Sequence, residues 1–451
     1  MSELSRESVE PLTPAEELLV EFCARDGADD QRAFEHLCAE HAELAPELRT
    51  LRERWERLDK ALGARVVVAG DGRHGPAGCF DAILARLTEH SPARPRYVAD
   101  EELARGGMGI VFKVWDPDLR RHVAMKVLRR DSQRLGVIAA RQRERMLGRF
   151  LEEAQITGQL EHPGIVPVHE LGLDAEGRLY FTMPLVRGRE LKEVIELARE
   201  GREGWNRTKV LGVFLKVCEA VAYAHSKGVV HRDIKPSNVM VGRFGETYVM
   251  DWGLARVLGR DASARAHDDP ESMQVETDVR EHLESTPDSP LETAHGAVIG
   301  TPAYMAPEQA LGRLDEIGPR SDVYAIGAML YQLLTGQMPY VPNGAPISPH
   351  VVLAARVLGP PQSVLSIDPH APPELAAICA KAMERHAERR YASALELAAD
   401  IEAFLGHRPV KAFESTLVYV LKLAYLRNRK VFLVSAAATL LALAFGVREI
   451  V

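Results

Sequence analysis

The chain has 451 residues, 46% of them hydrophobic and 27% charged, with a net charge of −8. That length suits roughly two to three domains, the composition is ordinary for a globular protein, and the acidic balance argues against a nucleic-acid partner. The five cysteines (Cys23, Cys38, Cys79, Cys218, Cys379) form no CxxC pair, which argues against a disulfide framework or zinc site and suits a reducing compartment.

The opening stretch, MSELSRESVEPLTP, lacks the apolar core of a secretory signal. Residues 1–95 are expected to form a helical accessory region. EELLVEFCAR and ELAPELRTLRERWERLDKAL carry apolar residues at three- and four-residue intervals. GDGRHGPAGC, residues 70–79, has four glycines and a proline and reads as a linker. No chemistry is legible in this region.

From 97 to about 185 the pattern turns strand-rich, with a charged helical insert. ELARGGMGIVFKVWD, residues 102–116, sets glycines before a β-prone run. Glycines let a backbone approach phosphate oxygens and offer them N–H groups, although a plain hairpin turn has the same look. HVAMKVL, residues 122–128, alternates as a strand and carries Lys126. A lysine within an apolar strand needs an anionic partner. Phosphate and a carboxylate both qualify; Glu153, in the expected helix GRFLEEAQITGQL, is the carboxylate candidate, with the adjacent Glu152 pointing about 100° away around that helix. The basic insert RRDSQRLGVIAARQRERMLGR separates the two; it reads as a solvated helix face or as a docking surface.

From about 189 to 405 the pattern is mostly helical. HRDIKPSN, residues 231–238, sets two cations, a carboxylate, an imidazole and an amide between the apolar stretches GVV and VMV. Either it is a charged turn joining helix to strand, or it holds a base, a cation and a metal ligand around one reacting atom. Residues 259–296 are polar and acidic, with little apolar content to order them. Near the end, FESTLVYVLKLAYLRNRK, residues 413–430, is expected to be a juxtamembrane amphipathic helix. VFLVSAAATLLALAFGV, residues 431–447, is an uncharged run of 17 residues, at the short limit of about 17–25 for a membrane-spanning helix. A buried C-terminal helix is the alternative. Arg427, Arg429 and Lys430 precede it, which by the positive-inside rule puts the preceding chain in the cytoplasm. Tail anchoring, or a cut from a longer chain, would account for the few residues that follow.

Six motifs in order, GMGIV, VAMK, HRDIKPSN, DWG at 251–253, GTPAYMAPE at 300–308 and DVYAIG at 322–327, resemble the eukaryotic-type serine/threonine protein kinases, specifically the bacterial membrane-anchored members. The resemblance covers about 97–405. It implies an α+β bilobal fold, with a small antiparallel-sheet lobe (about 96–185), a larger helical lobe (about 186–407) and ATP between them. It implies that the glycine loop (Leu103, Ala104, Gly106, Gly107, Gly109) covers the phosphates and that Lys126, held by Glu153, contacts them. Asn238 and Asp251 would hold Mg²⁺, or Mn²⁺. Asp233 would accept the substrate proton, Lys235 would neutralise the moving phosphate, and Thr301 would hydrogen-bond both. Val111, Ala124 and Met183 would line the adenine pocket, with Pro184 and Val186 in the hinge. Glu308 would pair with Arg390, and Asp322 would anchor the catalytic loop.

Lysine at 235 and Thr301 point to Ser/Thr hydroxyls of protein substrates. Three departures stand out: Ala104 for the first glycine of the loop, Trp252 for the Phe of DFG, and a segment of 58 residues from Asp251 to Glu308. Arg232 beside Asp233 resembles kinases that need a phosphorylated activation segment. Ser285, Thr286, Ser289 and Thr293 are candidates for autophosphorylation, and the opposite charges of the two inserts favour self-association. The expected setting is the inner membrane with the kinase domain in the cytoplasm. The rivals are a catalytically dead scaffold, disfavoured because Lys126, Asp233, Asn238 and Asp251 are all present, and a small-molecule kinase, disfavoured by GTPAYMAPE.

Overall fold

The structure, a computed structural model, describes residues 15, 18, 31–50, 52, 96–129, 137–174, 176–258, 275, 302–341, 349–414 and 416–427. Three sequence expectations lie outside these residues: the linker at 70–79, nearly all of the acidic segment 259–296, and the apolar run 431–447. Helix α1 (Gln31–Glu40) belongs to a small apolar cluster of Ala15, Phe34, Cys38, Ala45 and Leu48.

The chain falls into two compact units, the first of which includes α1. The first is built on an antiparallel sheet of β1 (Val98–Arg105), β2 (Gly109–Asp116), β3 (Arg121–Leu128), β4 (Glu170–Leu173) and β5 (Leu179–Pro184), in the order β1-β2-β3-β5-β4. Side chains alternate across a strand, so each strand feeds two faces. Val114, Val123, Met125, Val127 and Tyr180 form the core of one face. On the other, Leu128, Leu173, Leu179 and Phe181 pack with Leu147, Phe150, Leu151 and Ala154 of helix α2 (Val137–Gln159). Those four recur at helical spacing and make one apolar stripe. The basic insert and the expected Glu153 helix are therefore largely one helix, because that stripe runs from the insert's last turn into the glutamate's turn.

The second unit takes residues 160–166 and the described residues from Arg187 onward. Ile165 bridges to Val249, which draws the end of the α2 connection into this unit. A three-stranded antiparallel sheet of β6 (Gly188–Glu190), β8 (Val239–Gly242) and β9 (Thr247–Val249) lies in the order β6-β8-β9, and β7 (Val229–Val230) pairs with β10 (Arg256–Val257). Its helices include α3 (Leu191–Glu200), α4 (Arg207–Ser226), α5 (Pro307–Ala310), α6 (Pro319–Thr335), α7 (Pro349–Leu358), α8 (Pro373–Ala382), α9 (Ala394–Leu405) and α10 (Leu417–Arg427). Helix α4 starts where the Asn206 side chain accepts the Lys209 N–H at 2.9 Å, an N-cap that satisfies one otherwise orphan donor. Helix α6 is the centre of the unit and is buried from Ser321 to Thr335. It begins with Pro319 in its first turn and ends at Gly336, whose φ of 75° suits glycine. Among the described residues no helix is long and apolar enough to cross a membrane.

Candidate active site

In the first unit, β1 and β2 are joined by Gly106, Gly107 and Met108, and the Gly106 N–H donates to the Gly109 carbonyl at 2.9 Å. Gly109 is required by close approach: a Cβ there would come 2.9 Å from the Val127 carbonyl oxygen. Leu103 and Ala104 are exposed on β1, and the φ of Ala104 is not positive, so alanine sits there without strain. Register places Val111 opposite Lys126, Lys126 opposite Phe181, and Ala124 opposite Met183. By strand alternation Val111, Ala124, Lys126 and Met183 share one sheet face, the face α2 covers. There the Lys126 Nζ donates to both carboxylate oxygens of Glu153, at 2.5 and 2.7 Å. The pair is mostly buried, with Lys126 at 13% and Glu153 at 6% exposure, and each ion answers the charge of the other. Pro184 ends β5 opposite Val123, and Val186 follows, half-buried.

In the second unit the polar loop is held from beneath by one carboxylate. Asp322, near the start of α6 and 1% exposed, accepts the backbone N–H groups of His231 and Arg232 at 2.9 Å each, and the His225 Nε2 at 2.8 Å. Burial alone would push this carboxyl up, yet the hydrogen bond and charge of His225 and the backbone hydrogen bond from His231 outweigh it and hold it below the ordinary range. His231 takes the Asp233 N–H on Nδ1 at 3.3 Å and gives Nε2–H to the Met250 carbonyl at 3.1 Å. The two partners assign the tautomer.

Above this scaffold stands the Asp233 carboxylate. Lys235 Nζ donates to it at 2.6 Å, and Asn238 Nδ2 donates to it at 3.1 Å and to the Asp233 carbonyl at 2.8 Å. Both amide hydrogens of Asn238 are thereby turned to Asp233, which leaves its Oδ1 oxygen as the atom able to meet a cation. The Met250 N–H donates to the Asn238 carbonyl at 2.8 Å, which sets Asp251 beside that residue. Arg232 and Asp251 both adopt left-handed backbone, with φ of 69° and 62°. Non-glycine residues persist there only where their surroundings hold them. Trp252 is 2% exposed, and its Nε1 donates to the Val249 carbonyl at 3.3 Å.

An amide oxygen and a carboxylate are hard donors suited to Mg²⁺, which needs only one or two protein carboxylates when phosphates supply further ligands. Among the described residues no three His, Cys, Asp or Glu side chains gather into a group that could hold a metal ion.

The family model for the protein kinase domain matches residues 97–399. The chain belongs to the protein kinase family. Its kinase domain is similar to the serine/threonine-protein kinase PknD of Protochlamydia amoebophila, 35% identical over 69% of this chain and 30% of that one. PknD of Chlamydia trachomatis serovar D is also 35% identical, over 72% of this chain and 33% of the relative. A probable serine/threonine-protein kinase of Streptomyces coelicolor is 36% identical over 70% of this chain and 41% of its own. The chain therefore spans about a third of the length of the PknD relatives it matches.

Within the kinase domain, Lys126 with Glu153 and Asp233 with Lys235 and Asn238 come together as the sequence implied, each group within its own unit. Asp251 joins the second group through the backbone. Thr301 lies outside the described residues, as do Ser285, Thr286, Ser289 and Thr293. Glu308 and Arg390 form the expected pair, and Ser321 adds a third bond at 2.6 Å. Two supporting residues went unread in the sequence. His225 holds the far side of Asp322, and Gln309 donates from Nε2 to the Arg232 carbonyl at 2.8 Å. Each lies far along the chain from its partner, and nothing local in the sequence marks it. The proximity of Gln309 to Glu308 is the one hint.

Proposed function

We propose that this chain transfers the γ-phosphoryl group of ATP to serine and threonine hydroxyls of proteins. The observation that carries the reading is the Asp233 carboxylate gripped by Lys235 and Asn238 on a loop tied down by buried Asp322. The acceptor oxygen forms a bond to phosphorus as the bond to the ADP oxygen breaks, and the hydroxyl proton passes to Asp233. Lys235 offsets charge on the group in transit, and Lys126, fixed by Glu153, holds the phosphates of the donor. Mg²⁺, when bound, spreads the negative charge of the phosphates, and Asn238 and Asp251 are the residues that would hold it. Leu103, Ala104, Gly106, Gly107, Gly109, Val111, Ala124, Met183, Pro184 and Val186 would shape the nucleotide's surroundings. The test is radiolabel transfer from ATP, with Mg²⁺, to the chain itself and to a generic basic protein. The parent should label both, and Asp233→Asn neither; equal labelling by the two would sink the proposal.

The reading extends to regulation and place. Arg232 sits beside Asp233, and phosphate on Ser285, Thr286, Ser289 or Thr293 would offer it a charge-assisted partner. Autophosphorylation there is proposed as the activating step. Full activity with no phosphate between 285 and 293, read by mass spectrometry, would refute it. Membrane attachment through 431–447, with the kinase domain on the cytoplasmic side, rests on that uncharged run and on Arg427, Arg429 and Lys430 before it.

A further inference from the structure

Arg232 is gripped at both of its backbone polar groups. From α6, Asp322 accepts its N–H at 2.9 Å; from α5, the Gln309 Nε2 donates to its carbonyl at 2.8 Å. Between those two bonds Arg232 keeps a φ of 69°. Left-handed backbone is costly for a residue with a Cβ and persists only where the surroundings hold it. Asp233 is the next residue, so a change in the Arg232 dihedrals swings its carboxylate. Lys235 and Asn238 bind that carboxylate from within the same loop, whereas Asp322 and Gln309 tie the loop to helices.

Gln309 stands on a fixed base. It is 3% exposed, and its neighbour Glu308 is bound twice by Arg390 and once by the Ser321 hydroxyl, at 2.6 Å. Ser321 and Asp322 are consecutive on α6, as Glu308 and Gln309 are on α5. Two adjacent pairs thus close a ring: Ser321 to Glu308, Gln309 to the Arg232 carbonyl, and the Arg232 N–H to Asp322. The Gln309 Oε1 also accepts the Ala306 N–H at 3.1 Å. Glutamine or glutamate caps a helix start in this way, but capping uses only the oxygen and does not account for the amide donor.

We propose that Gln309 is a positioning residue for phosphoryl transfer: its amide donor, carried on α5, holds Arg232 in left-handed backbone and so sets the place of the Asp233 carboxylate. The inference rests on the transfer reaction proposed above.

Two variants separate the donor from the cap. Gln309→Glu keeps an oxygen for the Ala306 N–H but, at pH 8, well above the ordinary glutamate range, has no hydrogen for the Arg232 carbonyl. Gln309→Met loses both bonds without adding a charge. Label transfer to a generic basic protein is read at pH 8 against ATP concentration, with thermal melting of each preparation. Both variants should melt cooperatively, keep the KM for ATP within about twofold of the parent, and lose about tenfold or more in kcat, because a small misplacement of a reacting group is costly. Parental kcat in both would overturn the proposal. Parental kcat in Gln309→Glu beside a slow Gln309→Met would assign the effect to the Ala306 cap and overturn it as well. If Gln309→Glu does not fold, Ala306→Pro decides. The Ala306 φ of −72° suits proline, and this variant removes the cap donor while leaving the bridge. It should turn over like the parent, and a rate as low as that of Gln309→Met overturns the proposal. Failure of both Gln309 variants to fold, or a KM for ATP that rises with the fall in kcat, makes Gln309 architectural only. A parent that labels nothing overturns the transfer reaction itself, and the positioning role with it.

Discussion

The indole of Trp252 lies against the imidazole of His231, with ring centroids 4.5 Å apart and planes at 54°. The indole N–H is spent on the Val249 carbonyl, and His231 is spent on Met250 and Asp233. Rotating Trp252 out of its place would break the stack and the indole bond together. A phenylalanine there keeps the apolar contact but loses the bond and some volume. Trp252→Phe is expected to lower stability by about 1–3 kcal/mol while keeping label transfer within a few fold. Thermal melting and initial rates, measured on the same preparation, check both halves.

Lys126 and Glu153 form a two-point contact in a mostly buried place. Glu153→Gln leaves the lysine with a neutral acceptor and should raise the KM for ATP more than it lowers kcat, since Glu153 acts through Lys126. Lys126→Met removes the phosphate contact itself and should lower kcat/KM by more than about a hundredfold, a loss of transition-state stabilisation. A Lys126→Met variant with parental kcat/KM would show that this pair is architectural only.

The legibility of that pair in sequence has a physical basis. A lysine on an alternating apolar strand demands an anion, phosphate or carboxylate, and helical phase separates Glu153 from Glu152 as the carboxylate candidate. Motif order likewise brought Asp233, Lys235 and Asn238 within one short loop, where covalent connection alone keeps them close. What stayed hidden depends on distant packing. His225 meets Asp322 across 97 residues, and Gln309 meets Arg232 across 77. No local periodicity marks either contact. The continuity of α2 was hidden for another reason: its arginine-rich beginning reads as an insert, and only Leu147, Phe150, Leu151 and Ala154 packed together reveal the single stripe.

Glu308 and Arg390 are joined by two bonds of 2.7 and 2.8 Å, with both side chains buried. Burial alone would push the glutamate up, yet the Arg390 hydrogen bonds and charge outweigh it and hold its carboxyl below the ordinary value. A depressed folded value means stabilisation that is present above the unfolded carboxylate's pKa and is lost as pH falls through the folded one. Glu308→Gln should therefore be less stable than the parent at neutral pH, and the gap should narrow as the solution is acidified. Glu308→Ala, which strands a buried guanidinium, should cost about 3–5 kcal/mol at neutral pH. Denaturant midpoints across the acid range measure both effects, and a gap that widens toward acid would contradict the assignment.

Arg390 also makes a telling contrast with Arg356. Arg390 uses its whole guanidinium: Glu308 twice, and the carbonyls of Glu384, Arg320 and Arg385. Arg356 on α7 is 1% exposed, and among the described residues its Nε, Nη1 and Nη2 have no hydrogen-bond partner. It rests over the rings of Tyr324 and Tyr340, 5.3 and 4.9 Å from their centroids. A desolvated cation over an aromatic face gains about 2 kcal/mol, whereas taking a charge out of water costs several. A guanidinium cannot shed its proton to escape that cost. Methionine matches the length of the stem and fills the space between the rings without a charge. Arg356→Met is thus expected to melt above the parent, by about 2–4 °C for each kcal/mol gained. A fall of the melting temperature by a similar amount would mean that the two ring faces stabilise the cation by more than its desolvation costs.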